Sequence, residues 1–337
     1  TLTGTIGADN NITLNSPSLI NTGNIVSSNG GVSLDVHAWS ALLTNSGTIS
    51  AAGLLQVSHG STIAMGNTGK MLGSSVVINA DNLSVTGGGS IESAGDMTIN
   101  SYRGVTIGGI GDTTSRILAA TSGVGTGTFT SSDSVISVDH GSYFSDETVG
   151  TINNYGILFS RDNLIFGGGD VENMETGAIS ALENLIFRAD GEIAMIHNLG
   201  TFYAGQDLTI EGNLNNREGG IVYAGRDMYW HPNSSNDYSF LANRGRIEAI
   251  NNASWRGRIV NYSQILAGNE FSLQMWGASG LSNTNSGTIA APTVSISGSG
   301  TFENTGTIKA TTLNWSGTGE LYNLATDGVA AQSKDNE

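Results

Sequence analysis

Asn45-Ser46-Gly47-Thr48-Ile49 decides the fold, because its spacing recurs along the chain. Asn-x-Gly-x-Ile returns from Asn21 through Gly23 to Ile25, from Asn243 through Gly245 to Ile247, from Asn285 through Gly287 to Ile289, and from Asn304 through Gly306 to Ile308. Looser copies start at Asn67 and Asn198. Self-similarity of this kind marks a stacked array and is read before local propensity. Asn and Gly tolerate turn conformations with positive φ, and the Ile two residues past the Gly can point into a core. Each copy therefore predicts one corner of a coil, with Ile49 inside.

The corners at Asn21, Asn45 and Asn67 lie 24 and 22 residues apart. Between them run alternating segments such as Val32-Ser33-Leu34-Asp35-Val36 and Leu54-Leu55-Gln56-Val57, the pattern of half-buried strands. A turn of about 20 residues carrying two or three short strands is the arithmetic of a parallel β-helix. At roughly 4.8 Å per coil, about 13 or 14 coils would form a rod on the order of 65 Å long. Equivalent corner asparagines can stack as hydrogen-bonded ladders, a reason for Asn rather than Asp to lead the motif. The expected organisation is one all-β solenoid over 1–322, irregular near 101–152 and 229–242, with a disordered polar tail over 323–337.

A second signature pairs an Ala-Gly turn with a carboxylate or amide and an alternating strand. It appears from Ala94 to Ile99, from Ala204 to Ile210, from Ala224 to Met228 and from Ala267 to Leu273. In the carboxyl half the two signatures alternate in order. This alternation resembles the repeats of filamentous-haemagglutinin-like exoproteins of Gram-negative bacteria, over roughly 21–100 and 153–323. The resemblance implies a right-handed parallel β-helix, a passenger of two-partner secretion exported through an outer-membrane transporter. It further implies an adhesin or contact-dependent growth inhibition protein at the bacterial surface or secreted, engaging a cell-surface receptor or glycan. Neither a secretion domain nor a toxin domain is evident, and Thr1 is not an initiator Met, so an interior stretch of the filament is expected.

Composition narrows the function. With 48 glycines, 3 prolines and 12% charged residues, the chain is turn-dense without being charge-rich. Its net charge of −16 argues against nucleic-acid binding, which needs clustered basic residues against phosphate. The absence of cysteine excludes disulfides and thiolate metal sites. No run approaches the roughly 20 apolar residues of a membrane span.

Two interruptions of the period stand out as candidate binding elements. One is the Gly/Ser/Thr-rich stretch within 101–152. The other lies around Tyr229, Trp230, His231 and Tyr238, near a concentration of basic residues: six of the chain's 13 fall between Arg217 and Arg258. Aromatic planes beside guanidinium forks suit a sugar, a sulfate or a protein partner. The expected binding residues are Tyr229, Trp230, His231, Tyr238, Arg244, Arg246, Trp255, Arg256 and Arg258. The plainer alternative is that the tryptophans cap coil faces and the arginines are solvated.

Catalysis is not expected. Polysaccharide lyases and hydrolases also use β-helices, but they need carboxylates converging on one face. Asp96, Asp207 and Asp227 instead share one repeat position, which points to turn capping. Convergence of Asp162, Asp170, Asp190 and Asp207 beside Arg188 would favour an enzyme. The five scattered histidines lack zinc-ligand spacing, and no cofactor or metal is implied.

Overall fold

The computed structural model describes residues 1–36, 42–59, 64–112, 114–121, 126–131, 151–167, 170–188, 195–232, 240–275, 280–284 and 286–324. The chain winds as a stack of coils, and a coil contributes one strand to each of three parallel sheets. The first sheet contains fourteen strands in sequence order, from Thr5–Ala8 to Thr307–Lys309. The second begins with Ile12–Ser16 and Val32–Val36, the third with Leu19–Asn21 and Leu42–Asn45. Ser75–Val85 and Met97–Ile107 run unbroken around the edge between the second and third sheets, with a register shift between Ala80 and Asn82. The expected β-solenoid is therefore the architecture, with three strands per coil.

Alternation places every second side chain inside, and stacking aligns the inward residues of successive coils. In the first sheet Ile25, Ile49, Met71, Ile91 and Ile117 lie in register and are fully buried. Two residues later, at the edge facing the second sheet, Ala181, Ala204, Ala224, Ala249 and Ala267 align as a column of small side chains. The Ala of the Ala-Gly signature thus fills a narrow interior edge. In the second sheet aromatics supply the core: Phe166 stacks on Phe187 at 4.8 Å, and Trp255 meets Phe271 edge-on at 5.1 Å.

The corner asparagines form a ladder inside the protein. Asn21, Asn45 and Asn67 make one run; Asn154, Asn173, Asn198, Asn216, Asn243, Asn261, Asn283, Asn304 and Asn323 make another. Within a run each Nδ2 but the last donates to the Oδ1 of the next coil at 2.7–2.9 Å. Its second hydrogen reaches a backbone carbonyl, as from Asn198 to Ile221 O and from Asn243 to Gln264 O. From Asn21 through Asn304 these residues are buried. Burial without a partner would cost about 1–3 kcal/mol per group, so the ladder is what makes an interior amide tolerable.

The ladder has a direction, and therefore a head that lacks a donor. The first run follows Leu2 and the second follows Ile107, neither of which can donate. Accordingly Asn21 Oδ1 and Asn154 Oδ1 are buried and unpartnered. Between the runs, Val85 and Ile107 occupy the ladder column.

Two sequence expectations at the corners need correction. Gly47 and Gly245 do not have positive φ; among the described residues that conformation belongs to Ala120 and to other glycines, such as Gly87 and Gly219. A side chain at Gly47 would collide with the carbonyl of Gly23 in the preceding coil, and one at Gly245 with that of Gly220. Close backbone approach selects glycine here, and Gly23, Gly287 and Gly306 are hemmed in the same way. Secondly, Asn285 lies outside the described residues, and the ladder position of this coil belongs to Asn283, which aligns with Asn261 and Asn304. Corners come in two lengths: Asn45 and Gly47 enclose one residue, whereas Asn283 and Gly287 enclose three. At the carboxyl end Asn323 pairs with Asn304 and so belongs to the stack; the expected tail beyond Leu324 lies outside the described residues.

Candidate functional site

The tryptophans expected to bind a ligand are core. Trp230 and Trp255 are each 1% exposed and sit in register on adjacent inward positions of the second sheet. Trp230 Nε1 donates to Gly212 O at 2.8 Å, and Gly257, at φ +113°, leaves room for the indole. Tyr229 and His231 flank Trp230 on the outer side, half-buried, with rings 5.9 Å apart. Burial, and next the charge of Arg256, lower the His231 pKa. Tyr238 lies outside the described residues.

The expected arginine cluster is divided among the edges and faces of the prism. Arg226 binds the Asp207 carboxylate at the edge between the first and second sheets. Arg246 pairs with Glu248 at 2.6 Å on the outer face of the first sheet. Arg256 and Arg258 are exposed on either side of Gly257, where the second sheet gives way to the third. Arg244 projects from the Asn243 corner and lies 4.6 Å from the ring centroid of Tyr262, which occupies the equivalent place one coil later. Contiguity in sequence here spans three faces, so these residues do not form one site.

Asp207 and Asp227 are capping groups. Asp207 Oδ1 accepts from the backbone N–H of Asp227, and Asp227 Oδ1 accepts from that of Asn252 at 3.0 Å. Each carboxylate thus fastens the start of the next coil's second-sheet strand, and Arg226 holds Asp207 below its ordinary pKa. Asp162 sits at this same edge, whereas Asp170 opens a third-sheet strand and accepts from Met195 N–H at 2.7 Å. Asp190 lies outside the described residues.

Two outward features were missed in the sequence. On the third sheet, His197 Nδ1 lies 2.9 Å from an Arg217 Nη and 3.3 Å from Asn215 Nδ2, with Glu172 at 3.7 Å from Nε2. Two donors on Nδ1 place the neutral ring's proton on Nε2; burial is the main cause of its lowered pKa, and Glu172 opposes this.

The second feature is an apolar strip on the outer face of the first sheet. Tyr203 and Tyr223 stack at 5.2 Å with 4° between planes. Ile157, Tyr203 and Ile221 are 40, 37 and 43% exposed, and Phe159 is half-buried in register with Leu118 and Ser180. Ion pairs close both ends, Arg116 with Glu92 at 3.1 Å and Arg246 with Glu248. The signal was available: Tyr203 and Tyr223 each follow an inward residue, Phe202 and Val222, so alternation turns them outward.

No protein-family model, curated protein or solved structure matches this chain. No described helix is long and apolar enough to cross a membrane, and the described residues hold no group of three or more His, Asp or Glu side chains fit for a metal ion.

Proposed function

We propose that the chain is a non-catalytic segment of a secreted or cell-surface filament, an adhesin or toxin-delivery exoprotein, that extends and presents binding surfaces. In this reading it is exported through an outer-membrane transporter and engages a receptor or glycan on a host or bacterial cell. The observation that carries it is the outward aromatic strip on a regular rod, with Tyr203 exposed and Phe159 and Tyr223 half-buried beside it. Large exposed apolar patches on folded proteins mark interaction surfaces. The repeated aspartates support the non-catalytic side, being engaged in capping. The test is adhesion of the purified chain to bacterial and epithelial cells. Tyr203→Ala with Tyr223→Ala is expected to reduce adhesion at least about fivefold while leaving the circular dichroism spectrum unchanged. Absence of adhesion by the unaltered chain would overturn the reading.

A second reading, a β-helical polysaccharide lyase or hydrolase, draws on the Glu172, His197 and Arg217 grouping. It requires turnover of an acidic polysaccharide that His197→Gln abolishes.

A further inference from the structure

The aromatic strip contains a gap with the dimensions of one ligand ring. Along the outer first sheet, Phe159, Ser180, Tyr203 and Tyr223 occupy successive coils in register. The neighbouring outward column reads Ile157, Ala178, Thr201 and Ile221. The coil of Ala178 and Ser180 thus carries two small residues between larger neighbours. Phe159 and Tyr203, on either side of it, are separated by two coil spacings, about 9.6 Å. Ring spacing follows coil spacing here, since the rings of Tyr203 and Tyr223 on adjacent coils are stacked 5.2 Å apart and nearly parallel.

We propose that this slot receives the pyranose ring of a neutral glycan, with Phe159 and Tyr203 as its walls and Ser180 as its floor; the proposal rests on the adhesion reading. Contact at about 3.5–4.0 Å on each wall leaves roughly 2 Å for the thickness of the ligand itself. A flat aromatic side chain is too thin to touch both walls, whereas a chair-shaped sugar with its axial hydrogens fills the space. The apolar faces of a pyranose suit ring walls, and its hydroxyls suit the Ser180, Thr201 and Tyr203 hydroxyls at floor and rim. Charge points the same way. On the first sheet the outward side chains of these four strands carry no charge, and the arginines bounding the strip are already paired with Glu92 and Glu248. A sulfated or uronate sugar finds no unpaired cation in the slot.

The test is binding of the purified chain to immobilised maltohexaose, cellohexaose and chitohexaose, with a heparin hexasaccharide as the acidic comparison. At least one neutral hexaose is expected to bind. Tyr203→Ala should weaken that binding about tenfold or more, and Ser180→Phe should abolish it by filling the gap. Ser50→Phe, at the equivalent outward position of an earlier coil, should leave it intact. Binding only to the acidic sugar, or to no neutral hexaose, would overturn the proposal. So would retained binding by Ser180→Phe, which would indicate a flat apolar face engaged by protein side chains or by a second copy. Cell adhesion by the same variants separates the two levels. Adhesion that survives Ser180→Phe removes the slot and keeps the adhesive function, whereas loss of both signals in the unaltered chain removes both.

Discussion

The corner at Asn198 and the corner at Ile107 occupy the same column of the same stack, yet they are held in different ways. At Asn198 the amide accepts from Asn173 and donates to Asn216, so the corner is fastened from within. At Ile107 the interior is aliphatic, and the fastening has moved outside. There the Asp112 carboxylate accepts from Gly87 N–H at 2.7 Å, Ser115 Oγ at 2.7 Å and Thr114 Oγ1 at 3.1 Å. Gly87, Gly88, Gly108 and Gly111 in these loops have positive φ, whereas Gly23, Gly47, Gly200 and Gly245 at laddered corners do not. The difference teaches that the coil stack needs its corner polar groups paired, and that either an interior amide or an outer carboxylate can do it. A laddered corner is compact because its hydrogen bonds lie inside. A corner capped from outside needs a longer loop.

That contrast can be broken by substitution. The largest effect is expected in the ladder: Asn198→Leu removes the donor to buried Asn216 Oδ1 and the acceptor of Asn173 Nδ2. We expect a loss of roughly 2–4 kcal/mol in chemical denaturation, against less than about 1.5 kcal/mol for Ile107→Leu, which conserves volume and breaks no polar contact. Equal losses would abolish the distinction between the two kinds of corner.

A smaller effect concerns the gap between the two runs. Ile107→Asn alone gives Asn154 Oδ1 a donor but creates a new unpartnered oxygen at 107. Val85→Asn alone offers Asn67 an acceptor but leaves its own amide facing Ile107. Together they join the runs, so the double variant should be more stable than the sum of the singles by about 1–2 kcal/mol in a double-mutant cycle. Additivity would argue against ladder continuity as a source of stability.

The smallest effect is electrostatic. Hydrogen bonds, that from Ser115 foremost, hold Asp112 at a pKa of about 2, below its ordinary value of 3.8. A carboxyl with a depressed folded-state pKa stabilises fully above its unfolded value and loses that contribution as pH falls through the folded one. Hydrogen-exchange protection at Gly87 and Ser115, taken relative to the intrinsic rate at each pH, should therefore fall between about pH 4 and pH 2, and Asp112→Asn should remove much of that acid dependence. An unchanged profile in the variant would assign it to other carboxylates.

Much of the fold was legible because it repeats. The Asn-x-Gly-x-Ile and Ala-Gly signatures mark two edges of each coil, and the stacking of Asn was foreseeable from its spacing. The identity of the ladder residue at Asn283 was not, since Asn285 matches the shorter motif and only register distinguishes them. The binding residues were misplaced for a physical reason. Around one coil, residues a few positions apart face different directions, so the proximity of Arg226, Arg246 and Arg256 in sequence carries no information about a shared surface. Alternation from inward Met228 puts Trp230 inside, and that period outweighs the usual association of tryptophan and arginine with binding. Conversely, the strip of Phe159, Tyr203 and Tyr223 is assembled from residues in separate coils, and becomes visible only when coils are aligned.

The ladder is tested most directly by Asn216→Asp, which preserves shape while removing the donor to Asn243 Oδ1, Gly220 O and Arg246 O. At an exposed turn the two residues are nearly interchangeable. Inside the stack the change sets two oxygens against each other in a dry site, and a buried ladder predicts a loss of at least about 3 kcal/mol, a fall in melting temperature of roughly 4 °C. A melting temperature unchanged to within about 1 °C would place the asparagines on the surface and contradict the ladder.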